Sequence, residues 1–199
     1  MTVARTNFEA HISQCIEAIS IYEFLEGHGY SADFGLRFVW VASVSALDHY
    51  VTELVLEKAT EHFSNGAVLC AKLSAEGVPL ASILKLRTVS AAQAVVEFRA
   101  IMSNAIRFKT FQKADDVADG LAYVWDQKYK WDKIAASIGE PTKKVKRKLN
   151  GICRRRDLIV HNADYNEATG DLMPCTRTDA EEVTTYVSKI VRAIDSLVP

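Results

Sequence analysis

Lys143-Lys144-Val145-Lys146-Arg147-Lys148-Leu149-Asn150-Gly151-Ile152-Cys153-Arg154-Arg155-Arg156-Asp157-Leu158-Ile159-Val160-His161-Asn162 is the stretch on which the reading of this chain turns. It holds no proline and follows Gly139-Glu140-Pro141-Thr142, which closes one element and opens another. Proline suits the first turn of a helix, where its missing N–H loses no bond. The stretch therefore reads as a helix over roughly 142–160. Between 143 and 156 it carries eight basic residues and no acidic one, in a chain whose formal net charge is -1. Positive potential is thus concentrated on one element of a nearly neutral molecule. Without further signals such a run is a solvated helix face.

Outward from this helix the pattern stays helical. Nine glycines and four prolines punctuate 199 residues, and long stretches lack both, which disfavours a many-stranded sheet. Phe8, Ile12, Cys15, Ile16, Ile19 and Leu25 give a first helix over 6–26. Asp33 is placed to cap a second helix over 34–63, with a stripe of Phe34, Phe38, Val41, Val44, Ala46, Leu47, Val51, Leu54 and Val55. Asn65-Gly66 is a turn or C-cap. Shorter helices are expected near 80–86 and 90–113, then a polar turn at Asp115-Asp116. Asp179 precedes a final helix with Val183, Val187, Ile190, Val191, Ile194 and Leu197 on one face. The expectation is one all-α domain, 1–199, a helical bundle with additional short helices.

Composition narrows the function classes. Hydrophobic residues make up 49% and charged residues 25%, as in an ordinary globular protein. Cys15, Cys70, Cys153 and Cys175 form no C-x-x-C pair, so buried reduced thiols are expected rather than a zinc site. The longest apolar run, Phe38 to Leu47, contains two serines and is too short to span a bilayer. Met1-Thr2-Val3-Ala4-Arg5 opens a polar segment, so a soluble cytoplasmic protein without membrane contact is expected. No Walker A, G-x-G-x-x-G, G-x-S-x-G or H-E-x-x-H pattern occurs, and no cofactor or metal is expected.

The chemistry-bearing segment is Arg154-Arg155-Arg156-Asp157-Leu158-Ile159-Val160-His161-Asn162. Arginine offers a permanent planar fork for phosphate. Histidine exchanges a proton near neutral pH. Cleaving RNA without a metal needs both functions. Asp157 and His161 are four positions apart and share a helix face, so Asp157 is placed to fix the imidazole tautomer. Arg156 and His161 are five apart, about 140° around the axis and about 7.5 Å along it. One straight helix cannot aim both at one phosphate. Either it breaks before His161 or a second copy supplies the missing group.

Arg156-Asp157-Leu158-Ile159-Val160-His161-Asn162 resembles the signature of the HEPN superfamily, an arginine, a polar residue, and a histidine after a spacer of four to six. The RiboL-PSP-HEPN group looks most similar, through Ser45-Ala46-Leu47-Asp48-His49-Tyr50-Val51, Trp131-Asp132-Lys133-Ile134 and Ala163-Asp164-Tyr165. The likeness covers roughly residues 35–198. It implies a HEPN-like helical bundle, a homodimer, and a metal-independent endoribonuclease. Arg156 would bind the scissile phosphate and His161 would handle protons. Asp157 would fill a position where many members have asparagine. Arg154 and Arg155 also satisfy the spacing. With Asn162, Lys144, Arg147 and Lys148 they would form the RNA-binding surface, although Asn162 is equally a C-cap. Asp48 is a supporting residue facing the motif helix, or a polar satisfier between helices. Trp125, Tyr129 and Trp131 are core residues or base-stacking platforms. The resemblance further implies a toxin or antiphage effector, with an antitoxin or other regulatory protein as partner. The alternative is a non-catalytic HEPN module that binds RNA or dimerises a larger complex. A third reading is a helical interaction protein whose motif is accidental.

Overall fold

The computed structural model describes residues 1–166 and 168–199, and among these nine helices form. They are α1 (Val3–Gly27), α2 (Asp33–Asn65), α3 (Ala71–Ser74), α4 (Leu80–Thr88), α5 (Ala91–Ile106), α6 (Ala114–Leu121), α7 (Lys130–Ile138), α8 (Thr142–His161) and α9 (Arg177–Leu197). The one β interaction among the described residues is an isolated antiparallel bridge between Tyr165 and Leu172. The fold is an all-α bundle, and no described helix is long and apolar enough to cross a membrane.

Local chemistry sets the helix ends. The Thr2 hydroxyl accepts the Arg5 N–H and starts α1. Thr176 and Asp179 form a reciprocal capping box at α9, which satisfies two otherwise orphaned donors. Asp179 is therefore the third residue of α9 and not its leading signal. Gly66 and Gly139 end α2 and α7 at φ 63° and 77°, a backbone region that glycine enters without steric cost. Asp33 does not cap α2; Ala32 holds that position without a side-chain bond, and Asp33 is the first helical residue. Pro141 is the N-cap of α8 rather than a residue of its first turn. Asp115 and Asp116, expected in a turn, lie in the first turn of α6, where the helix dipole favours acidic side chains. The helix expected over 90–113 stops at Ile106.

α2 is the central element. Its buried face includes Leu36, Val39, Val44, Leu47, Tyr50, Val51, Leu54 and Val55, and it packs on α1, α5, α6, α8 and α9. Phe34 and Phe38, expected in this face, are 70% and 57% exposed. Rotation by about 100° per residue puts them beside the buried stripe, because Leu36 and Val39 take the inward phase. α9 buries Val183, Val187, Ile190, Val191 and Ile194 as its spacing predicts. All four cysteines are buried and free.

Three contacts set the motif helix against this core. The Trp40 indole N–H donates to the Ile152 carbonyl at 2.9 Å. The Asn150 side-chain oxygen accepts the Ala114 N–H at 2.9 Å and so helps begin α6. The Cys153 thiol donates to the Gln112 carbonyl at 3.2 Å. Val145, Leu149, Ile152 and Cys153 supply the apolar face of α8.

Candidate functional site

α8 begins against its own electrostatics. Lys143, Lys144, Lys146, Arg147 and Lys148 crowd the end where the helix dipole is already positive. Acidic neighbours offset part of this. Lys144 pairs with Glu140 at 3.1 Å, Lys146 with Asp115 at 2.8 Å, and Lys148 with Glu182 at 3.9 Å. The Lys148 ammonium also stands 4.4 Å from the centre of the Tyr186 ring. Lys143 and Arg147 are exposed and make no ion pair among the described residues.

The three consecutive arginines have three different fates. Arg155 is committed to structure. Its Nη2 donates to Asp164 Oδ2 at 2.7 Å and to the Pro174 carbonyl at 3.0 Å. Arg156 sits toward the buried side, with its side chain 15% exposed and Nη1 3.2 Å from Asp157 Oδ1. Its Nε is buried and makes no hydrogen bond among the described residues. Arg154 is exposed and makes no ion pair among the described residues.

His161 is exposed and is the last residue of α8, which runs unbroken to it. The alternative in which the helix breaks before His161 is thereby removed. Arg156 remains about 140° away around the axis. Arg154, seven positions back, returns to within about 20° of His161 and lies about 10.5 Å along the axis. Arg147 lies another seven positions back. Arg147, Arg154 and His161 therefore form one exposed row, with Lys143 beginning the same face. Asp157 pairs with Arg156, and no hydrogen bond or ion pair joins it to His161 among the described residues. The expected orientation of the imidazole by Asp157 is not what this arrangement holds.

The turn after His161 opens with the C-cap that the sequence offered and is then held by Asp164 and Arg37, in roles that sequence reasoning did not assign. Asn162 is the C-cap of α8, with its N–H on the Leu158 carbonyl at 2.9 Å. Ala163 and Asp164 follow with φ of 48° and 66°, which non-glycine residues seldom adopt. Asp164 is fully buried and its Oδ2 accepts from Arg37 Nε at 2.9 Å and from Arg155. Arg37 Nη2 also donates to the Met173 carbonyl at 2.9 Å. One carboxylate thus ties α2, α8 and the segment ending at Pro174. Its partner Arg37 lies 127 positions away, so no local spacing marks the pair.

Asp48 reaches α8 only through an intermediary. Its carboxylate accepts the Phe111 N–H at 2.6 Å and the Gln112 side-chain amide at 2.7 Å. Gln112 in turn receives the Cys153 thiol. Of the aromatic trio, Trp131 is buried with its indole N–H on the Ala114 carbonyl, Trp125 packs against the core, and Tyr129 is 59% exposed. Among the described residues no group of three or more His, Cys, Asp or Glu side chains is placed to hold a metal ion. Burial pushes the Cys153 thiol up to about 11 and raises those of Cys15, Cys70 and Cys175.

No protein-family model, curated protein or solved structure matches this chain.

Proposed function

We propose that this chain is a metal-independent endoribonuclease of the HEPN type, cutting RNA at His161 with Arg154 as the phosphate-binding arginine. The observation that supports this most is the shared exposed face of Arg154 and His161 on a helix with eight cations. The 2′-hydroxyl loses its proton and attacks phosphorus. The P–O2′ bond forms, the P–O5′ bond breaks, and the departing 5′-oxygen takes a proton. The products are a 2′,3′-cyclic phosphate and a 5′-hydroxyl. Arginine neutralises charge on the five-coordinate phosphate, and histidine moves the protons. One imidazole cannot give and take a proton in the same instant. A homodimer with two motifs facing across a two-fold axis supplies both roles. In this reading the protein works in the cytoplasm as a toxin or antiphage effector, restrained by an antitoxin or other regulatory protein.

The second reading is a HEPN module that binds RNA without cutting it. The pairing of Asp157 with Arg156 favours it, because Asp157 then leaves the imidazole unoriented. An RNA cleavage assay in EDTA separates the two. His161→Ala should lose at least about 100-fold in rate. Arg154→Ala should lose more than Arg156→Ala once folding is matched. Cleavage by His161→Ala at the wild-type rate would sink the catalytic reading. Loss with Arg156→Ala but not Arg154→Ala would refute the face assignment.

A further inference from the structure

A cleft of about 320 Å³ opens where α6, the start of α7 and the first turns of α8 meet. Asp115, Lys128, Tyr129, Trp131, Thr142 and Lys146 are among the residues lining it. Trp131 is spent on the core, whereas the Tyr129 ring is left in solvent. Its backbone is nevertheless fixed. Tyr129 is the N-cap of α7, its N–H donates to the Gln127 side chain at 3.3 Å, and its carbonyl accepts from the Asp132 and Lys133 N–H groups. The ring is therefore carried on a held backbone, and stacking on it orders little additional chain. The charges around it suit a phosphodiester. The Lys128 ammonium stands 5.3 Å from the Tyr129 centroid. Lys146 holds Asp115, whose side chain is 83% exposed, and such a solvated pair is worth little and gives way easily. Asp132 is occupied by the Thr142 hydroxyl at 2.6 Å.

We propose that this cleft is a nucleotide subsite, in which a base of single-stranded RNA stacks on Tyr129 and its phosphate meets Lys146. The proposal rests on the ribonuclease reading above and deepens it. Thr142 and Lys146 lie on the same helix as the row Lys143, Arg147, Arg154 and His161, and Lys146 stands about 60° around the axis from His161, so the cleft flanks that row. Lys146 and His161 are separated by about 22 Å along the helix, 15 residues at about 1.5 Å each, a span of several nucleotides. A strand cut at His161 would thus be gripped a few nucleotides away by stacking. This favours an unpaired strand, since only unstacked bases can leave the helix to meet an aromatic ring.

The test is the affinity of the full chain for a labelled twelve-nucleotide single strand whose 2′-oxygens are methylated so that it cannot be cut. Wild type, Tyr129→Ala, Tyr129→Phe, Lys146→Ala and Arg154→Ala are compared over a range of salt. Tyr129→Ala should bind about tenfold more weakly or worse, with an unchanged salt slope, and Tyr129→Phe should bind like wild type. Lys146→Ala and Arg154→Ala should each flatten the slope by about 0.7, the value for one phosphate contact on a single strand. Wild-type affinity in Tyr129→Ala, beside weakened Arg154→Ala, would overturn the subsite and leave the ribonuclease reading standing. Equal weakening by Tyr129→Ala and Tyr129→Phe would overturn stacking. A wild-type chain with no affinity for the strand would overturn both.

Discussion

Asp164 carries two arginines on one buried oxygen, while its Oδ1 makes no hydrogen bond among the described residues. The side chains of Arg37 and Arg155 are only 14% and 19% exposed, so water can take the place of the carboxylate only in part. Removing one partner of such a cluster leaves uncompensated buried charge, and roughly 3 kcal/mol should be lost in Asp164→Ala. Asp164→Asn keeps an acceptor and tolerates the left-handed backbone, so it should fall between the two in urea denaturation. Equal midpoints for wild type and Asp164→Ala would refute the clamp. Gly120 offers a second case where magnitudes decide. Alanine in a helix interior ordinarily stabilises by about 1 kcal/mol over glycine. Here its Cβ would stand 2.7 Å and 2.9 Å from two carbons of the fully buried Phe111 ring. Overpacking costs about 1 to 3 kcal/mol, so Gly120→Ala should lower the melting temperature; a rise would show that the ring moves freely. The thiols give a third. With Cys153 raised to about 11 and the others raised by burial, each stays protonated near pH 8. A thiol reagent should label none rapidly in the native state and all four cysteines in denaturant.

At the scale of the element, the long helices are legible because each repeats its apolar period over many turns. α1, α2, α8 and α9 lie close to where spacing puts them. α3 and α6 have four and eight residues, too few turns for a period to stand out. The phase of α2 is less legible than its extent. Phe34 and Phe38 look like core, but Arg37 between them must reach Asp164, and that demand is invisible before the chain folds back. The motif shows the same division. The rotation that separates Arg156 from His161 also brings Arg154 onto its face, and that is readable from spacing alone. Which arginine is free is not, because Arg155 is claimed by a buried acid in the following turn. The split has a measurable consequence for folding. Arg154→Ala and His161→Ala should leave the unfolding free energy within about 0.5 kcal/mol of wild type, as exposed positions do. Arg155→Ala should unfold earlier, since it abandons Asp164. A destabilised Arg154→Ala would place that side chain in the structural network.

For the whole molecule, the turn of α8 that ends in His161 leaves apolar surface open. Val160 is 49% exposed, and Tyr165 and Leu172, paired across the short bridge, are each 50% exposed. Leu158, two positions before Val160, is half-buried. If two copies join here, Val160→Glu should halve the mass in solution, lower specific activity and keep the helical circular dichroism. Specific activity of the wild type should then fall on dilution, and a fully active monomer would overturn the composite site. The packing of α9 has another consequence, for how the molecule is made. Val187, Ile190, Val191 and Ile194 of α9 are fully buried within the bundle of α1, α2 and α7. Ribosomes deliver a chain from its N-terminus at about 5 to 20 residues per second. The cation-rich helix thus emerges before the element that closes the core over α2. A message cut short ahead of α9 would specify no shortened bundle. It would give an open, protease-sensitive chain with its arginine–histidine row intact in sequence and nothing to hold it in place.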